Sequence, residues 1–354
     1  MSDARAVSAF SGDFSPAPGP APAPAPSRKP RLGFLGVGWI GRNRMEAIAA
    51  SGIADVAVLA DASPATLDQA RAVAPAAATA DSLEALLAHG VDGVVIATPS
   101  ALHAEQAVAA LDAGVAVFCQ KPLARNAAES ARVVAAARRA DRLLGVDLSY
   151  RHTAAMRQIR ELVAGGAIGD VYAVDLVFHN AYGPDKAWFR DPQLSGGGCV
   201  VDLGIHLVDL ALWTLDFPAV GGVSSRLYAG GRPVADTANV VEDYAVAQFD
   251  LASGAVVRLA CSWNLAAGRD AVIEATFHGS QGGASMRNVN GSFYDFVAER
   301  FDSTRTSVLA EPPDAWGGRA AVDWAERLAA GRGFDAAIER VVDVAAVLDR
   351  VYGR

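Results

Sequence analysis

Between residues 31 and 150 short apolar runs alternate with longer segments whose apolar positions recur at helical spacing. The runs at 32–37, 56–60, 93–98, 115–119 and 143–148 read as strands, and the segments at 43–51, 66–74, 82–90, 102–114 and 127–141 as helices. Gly90 and Gly114 stand where helices commonly stop, because glycine tolerates the left-handed residue that follows a last turn. The strand runs are apolar throughout, so both sheet faces are covered. Strands of that kind alternating with helices predict a parallel, doubly wound sheet. After residue 151 the pattern changes. A helix over 154–166 leads into strand-like runs at 171–179, 241–250, 255–264 and 271–279, in which apolar and polar residues alternate. Such alternation predicts an open, mainly antiparallel sheet with one wet face. Segments 319–331 and 335–352 read as helices, making the second domain α+β.

The pattern therefore divides the chain into a first domain over 31–150 and a second over 151–354, behind an arm at 1–30. A chain of 354 residues is long for one core, which agrees with two domains. The arm contains SPAPGPAPAPAPSRKP, whose prolines remove donors and fix φ; extended, polyproline II-like chain is expected. It is either a free tail or an arm reaching a neighbouring subunit. The net charge of −8 argues against a nucleic-acid surface. No uninterrupted apolar run approaches the roughly 18 residues of a membrane span, and the N-terminal residues do not make a signal peptide. Cys119, Cys199 and Cys261 are widely spaced, fit no metal motif and suit a reducing cytoplasm. No metal site is expected.

The first strand runs into GVGWIG, which sets Gly36, Gly38 and Gly41 in GxGxxG spacing with Trp39 and Ile40 between them. Between a strand and a helix this spacing has a mechanism. Gly36 makes the turn, Gly38 admits a pyrophosphate, and Gly41 lets the helix pack closely. The second strand ends at Asp61, which lies 61 − 36 = 25 residues after Gly36. That suits an acid bonded to the adenine ribose hydroxyls, unless Asp61 only starts the next turn. A carboxylate there repels a 2′-phosphate and no arginine follows it, so NAD is expected over NADP. Thr98 and Pro99, then Gln120 and Lys121, end the fourth and fifth strands, where ligands of such sheets bind. His103 lies just beyond and is either a cofactor contact or a packing histidine.

The candidate chemistry starts at Lys121. Only Lys29, Lys121 and Lys186 are lysines among 31 basic residues. A lysine kept at a strand end, before Pro122, has a property arginine lacks: a compact charge able to share a proton. Further on, SGGGCVVDLGIH places Asp202 and His206 four residues apart, hence on one face of a helix. His206 suits a general acid–base, with Asp202 orienting the imidazole or the substrate. The alternative is a core histidine and a helix cap. Tyr150, Arg151, His179, Asn180, Tyr182, Lys186 and Trp188 are polar or aromatic candidates for substrate contacts, alongside Lys121, Asp202 and His206.

Taken together, GVGWIG, QKP and GGGCVVDLGIH resemble the Gfo/Idh/MocA oxidoreductases, the glucose–fructose oxidoreductase and inositol dehydrogenase family, from about Arg31 to the end of the sequence. The resemblance implies a Rossmann domain, an open antiparallel sheet, and homodimers or homotetramers packed through it. It also implies NAD(P)-dependent oxidation or reduction of a sugar, polyol or cyclitol. Lys121 matches the lysine of the family's E-K-P motif, and Asp202 and His206 its aspartate and histidine. The glutamate of that motif is Gln120 here, which removes a negative charge beside Lys121. Two other activities fit the same motifs: a redox-neutral enzyme that uses bound NAD transiently, as some glycosidases do, and a sugar or dinucleotide sensor without turnover.

Overall fold

A computed structural model describes residues 28–354. Most of the proline-rich arm, residues 1–27, lies outside the described residues. The first unit is built from β1 (Arg31–Leu35), α1 (Trp39–Ser51), β2 (Asp55–Ala60), α2 (Pro64–Val73), β3 (Ala78–Ala80), α3 (Leu83–Ala88), β4 (Gly93–Ile96), α4 (Ser100–Asp112), β5 (Ala116–Cys119), α5 (Ala127–Ala140) and β6 (Leu144–Val146). Its six strands are all parallel, in the order β3-β2-β1-β4-β5-β6. The order reverses between β1 and β4, and in such sheets the ligand crevice lies outside the strand ends at that reversal. β4 and β5 are buried at every position, as their unbroken apolar runs require.

The second unit follows with α6 (Ala154–Ala164), β7 (Val171–Asn180), a one-turn helix α7 (Pro192–Ser195), a π turn at Val200–Gly204, and α8 (Ile205–Thr214). The strands β8 (Val220–Ala229), β9 (Arg232–Pro233), β10 (Tyr244–Leu251), β11 (Val256–Ser262), β12 (Ala271–Gly279), β13 (Gly282–Asn288), β14 (Phe296–Asp302) and β15 (Arg305–Ala310) complete it. With β7 they make a nine-stranded sheet ordered β15-β14-β13-β12-β7-β11-β10-β8-β9. Only the β7–β11 pair is parallel. Alternation along β10 puts Ala245, Ala247, Phe249 and Leu251 inside and leaves Val246, Gln248 and Asp250 on the opposite, exposed face. α6 and α8 cover the inner face, and one contiguous core runs between them and the sheet.

Two final helices, α9 (Arg319–Ala329) and α10 (Arg340–Val351), return to the first unit. Trp324 of α9 is buried against Phe118 of β5, with ring centroids 5.7 Å apart. Gly93 and Gly145 make room for it, since a Cβ there would lie 2.7 and 2.8 Å from the indole. The first sheet is thus closed by residues some 200 positions away in sequence.

The stretch Pro192–Thr214 amends one expectation. This helical run has mean hydropathy 1.3 and is long and apolar enough to cross a membrane by length and composition. It is also 89% buried inside the protein, which makes it a core helix.

Candidate active site

The crevice begins at the glycine loop. Gly36 has φ +84°, a left-handed conformation, and a Cβ on it would lie 2.6 Å from the Ala97 backbone. A Cβ on Gly41 would lie 2.1 Å from the Gly36 carbonyl oxygen. Both glycines are therefore required by the protein itself. Gly38 is not, because nothing lies within 4 Å of where its Cβ would be. That open space is on the side of the N-terminus of α1, which has no capping side chain and no acidic residue in its first turn. Its free amides and positive dipole end suit a pyrophosphate, so the residues present fit a dinucleotide. Trp39 opens the helix and is 63% exposed, with Ile40 half-buried behind it.

Asp61 holds this loop. Its Oδ2 accepts from Val37 N at 2.8 Å and its Oδ1 from Ser63 N at 2.9 Å. Both readings of Asp61 therefore meet in one side chain. It organises its own turn, and its carboxylate keeps lone pairs to spare for a further donor at the end of β2. Thr98 donates to Gln106 Oε1 at 2.6 Å, and Pro99 caps α4. His103 is 1% exposed, and its two ring nitrogens lie 2.7 Å from the carbonyls of Pro122 and Thr98. It is a strut tying the two ligand-side loops together, not a direct cofactor contact.

Lys121 follows β5 and precedes a cis Pro122. Its Nζ donates to Asp202 Oδ1 at 2.7 Å and to the Asp202 carbonyl at 2.6 Å. An ammonium has three donors, so one remains for a substrate oxygen. The other carboxylate oxygen, Asp202 Oδ2, accepts from Trp263 Nε1 at 3.1 Å. Asp202 thus bridges both units, with each carboxylate oxygen holding one partner.

The expectation that Asp202 orients His206 is corrected by the π turn. Its wider i→i+5 winding breaks the α-helical register between the two residues. Asp202 turns to Lys121, and His206 Nδ1 is left buried without a partner. The imidazole packs instead on Tyr150, ring centroids 4.8 Å apart. Burial, then the charges of Lys121 and Arg44, hold His206 well below the ordinary histidine range. It is neutral at neutral pH, as a proton acceptor must be.

Gln120 is also placed differently from expectation. It is buried, and its amide donates to Asp147 Oδ2 rather than facing the crevice. Asp147 is 1% exposed and also pairs with Arg44 Nε at 2.6 Å. The carboxylate absent at position 120 is therefore present one strand over, at the end of β6.

The candidate substrate contacts separate. Tyr150 is buried among Phe178, Phe296 and Trp316, a wall behind His206. Arg151 is committed to a bidentate pair with the buried Asp209, so it is a structural residue. His179 projects from β7 on the side opposite Phe178, bonded to Ser262 and stacked on Tyr244 at 5.9 Å; that is the outer sheet face, away from Lys121. Asn180 follows on the inner side, its Oδ1 buried and unpartnered. Tyr182 and Lys186 are exposed on the loop after β7. Trp188 stacks on Phe189 at 3.8 Å, and Phe189 meets Trp263 edge-on at 6.2 Å. Trp263 escaped the sequence reading because it ends a strand whose other residues alternate in the usual way. Asp147 escaped because it sits in an apolar run.

This combination, a dinucleotide crevice opening beside a lysine–aspartate pair and a neutral histidine, defines a nicotinamide-dependent oxidoreductase. The NAD-binding Rossmann fold of the GFO/IDH/MocA oxidoreductase family matches residues 31–148, and its C-terminal domain matches residues 156–285. The chain belongs to the Gfo/Idh/MocA family of NAD(P)-dependent oxidoreductases acting on CH–OH groups. It is 30% identical over 234 residues to D-glucoside 3-dehydrogenase of Escherichia coli (strain K12), spanning 62% of this chain and 67% of that one. It is 32% identical over 273 residues to a putative UDP-kanosamine synthase oxidoreductase subunit of Amycolatopsis mediterranei (strain S699), spanning 73% and 75%. Among solved structures, levoglucosan dehydrogenase in complex with NADH and levoglucosan superposes with a TM-score of 0.78 at 23% identity, covering 92% of this chain and 97% of that one.

Proposed function

We propose that the protein oxidises a secondary hydroxyl of a sugar, sugar derivative or cyclitol, or reduces the corresponding ketone. The observation that carries this reading is the Lys121–Asp202 pair, 2.7 Å long, at the mouth of the dinucleotide crevice. The glycine loop, the amides of α1 and Asp61 hold NAD. A bound nicotinamide would supply the acceptor for the hydride of the carbinol carbon. Lys121 donates its third N–H to the substrate oxygen and stabilises the negative charge that grows there. Asp202 fixes the ammonium from one side, and Trp263 fixes Asp202. Neutral His206 takes the hydroxyl proton and returns it in the reverse direction. The aromatic surface of Trp263, Phe189 and Trp188 suits the apolar face of a ring, and Asn180 a ring hydroxyl.

The open sheet face supports association with a second copy of the chain, as dimer or tetramer. The sparse, odd set of three cysteines supports a reducing, cytoplasmic setting. The deciding experiment is absorbance of reduced nicotinamide with NAD or NADP against hexoses, glucosides, sugar nucleotides and inositols. Turnover with a hydroxylated ring, abolished in Lys121→Ala, is expected. Tight NAD binding with no redox change across the panel would refute net oxidation and favour transient use of the cofactor or sensing.

A further inference from the structure

The three glycines before Asp202 need an explanation, since such a run normally loosens a chain. Each is hemmed in by protein rather than facing the crevice. A Cβ on Gly196 would lie 2.8 Å from Arg125, one on Gly197 2.2 Å from the Tyr352 hydroxyl, and one on Gly198 1.9 Å from the Glu242 carbonyl oxygen. The loop is threaded through a tight frame.

At the centre of that frame is Glu242, 1% exposed, just before β10. Its Oε1 accepts from Val200 N at 2.9 Å, Gly198 N at 3.1 Å and the Tyr352 hydroxyl at 2.7 Å. Its Oε2 accepts from Gly198 N at 3.0 Å. Burial pushes this carboxyl upward, and the bonds from Val200, Tyr352 and Gly198 push back. The network continues to the chemistry: Asp202 N donates to Gly198 O at 3.0 Å, and Asp202 receives Lys121. Neither the Glu242 carboxylate nor the Tyr352 hydroxyl hydrogen-bonds Lys121 or His206.

We propose that Glu242 and Tyr352 are positioning residues for the reaction: together they set the Gly196–Val200 backbone, and through it the Asp202 carboxylate that aims Lys121. The assignment rests on the reading of Lys121 as the group that polarises the substrate oxygen. It predicts that the two act as one device, because the phenol and the loop amides share one carboxylate.

The test uses the full chain with Tyr352→Phe, Glu242→Gln and the double variant. The three-lysine composition supplies a readout independent of activity: in lysine-labelled 13C protein only Lys29, Lys121 and Lys186 give side-chain signals. The expected result is a roughly tenfold lower kcat in each single variant, with little further loss in the double. KM for NAD should stay within about twofold, since the glycine loop of the first unit is untouched. The Lys121 signal should move while those of Lys29 and Lys186 stay. Glu242→Gln keeps one acceptor oxygen and should retain more kcat than Glu242→Ala. Variants with lowered melting temperature but wild-type kcat and an unmoved Lys121 signal would overturn the proposal, showing a merely structural clamp. If Glu242 variants do not fold, Tyr352→Phe, which removes the bond given to Glu242 and the one accepted from Gly198 N and leaves the ring, decides alone. If the wild type turns over no substrate, the functional reading fails, and the Lys121 signal still tests the positioning.

Discussion

Restoring the glutamate that the family resemblance implies at position 120 is the natural first engineering step, and the structure predicts that it does harm. Gln120→Glu sets a carboxylate against Asp147, in a place where the two residues are 7% and 1% exposed. Two ionised carboxylates about 3 Å apart repel by about 5 kcal/mol at an effective dielectric of 20. Arg44 offsets part of this through its pair with Asp147. The cheapest response is for the introduced carboxyl to keep its proton until about pH 6.3, against about 4.3 for an ordinary glutamate. The sign follows from linkage. Between the unfolded pKa of about 4.3 and the raised folded value the native state binds more protons, so stability falls as pH rises and then levels off. The penalty is about 1 kcal/mol at pH 5 and about 2.7 kcal/mol at pH 8. Thermal unfolding of wild type and variant at both pH values measures it, as an additional loss of about 2–5 °C at the higher pH. A variant equally stable at both pH values, relative to wild type, would refute the placement of the negative charge at Asp147.

Five further outcomes follow from the same geometry. Gly38→Ala should weaken NAD binding, read by fluorescence titration, without lowering the melting temperature, whereas Gly41→Ala should destabilise the protein because its Cβ meets the Gly36 carbonyl at 2.1 Å. Lys121→Ala should lower kcat by about 10²–10⁴, and Lys121→Arg should not rescue it, because a planar guanidinium cannot replace a compact ammonium between two Asp202 oxygens. The acid limb of the kcat/KM profile should fall well below pH 6.5 with His206 as base, and a limb at or above 6.5 would contradict its burial. His206 also costs stability in acid: the unfolded chain takes up a proton below about 6.5 while the folded site resists it, so stability falls as pH drops from there. Trp324→Ala should cost about 3–5 kcal/mol by emptying a fully enclosed site, measured by denaturant unfolding.

What could be read from the chain divides by the range of the forces involved. The first sheet was legible because parallel strands are apolar on both faces: β4, β5 and β6 fell within the expected runs, and β1 and β2 began one residue before theirs. β3 was missed: its sequence Ala78–Ala80 has almost no apolar contrast. β13 (GGASMRN) and β8 (VGGVSSRLYA) were missed for a related reason, being rich in glycine and serine and held as strands by their neighbours. At the site, the placement of the glycine loop, Asp61 and Lys121 directly after β1, β2 and β5 was legible because it depends on local spacing at a strand end. The partner of Asp202 was not, because it depends on a π turn and on Trp263, 61 residues away. Arg151 and His179 misled because polarity in a sequence does not say which face a side chain takes.

The return of α9 to the first sheet has a consequence for synthesis. β4 and β6 present bare glycines, Gly93 and Gly145, where Trp324 belongs. Until the ribosome has delivered that tryptophan, the nascent dinucleotide-binding half carries an uncovered apolar slot, although all six of its strands have long since emerged. A fragment ending near residue 150 should therefore be soluble only poorly and should recruit holding chaperones, while the same fragment supplied with residues 315–354 in trans should recover much of its order. The cofactor half is finished last, by the end of the chain.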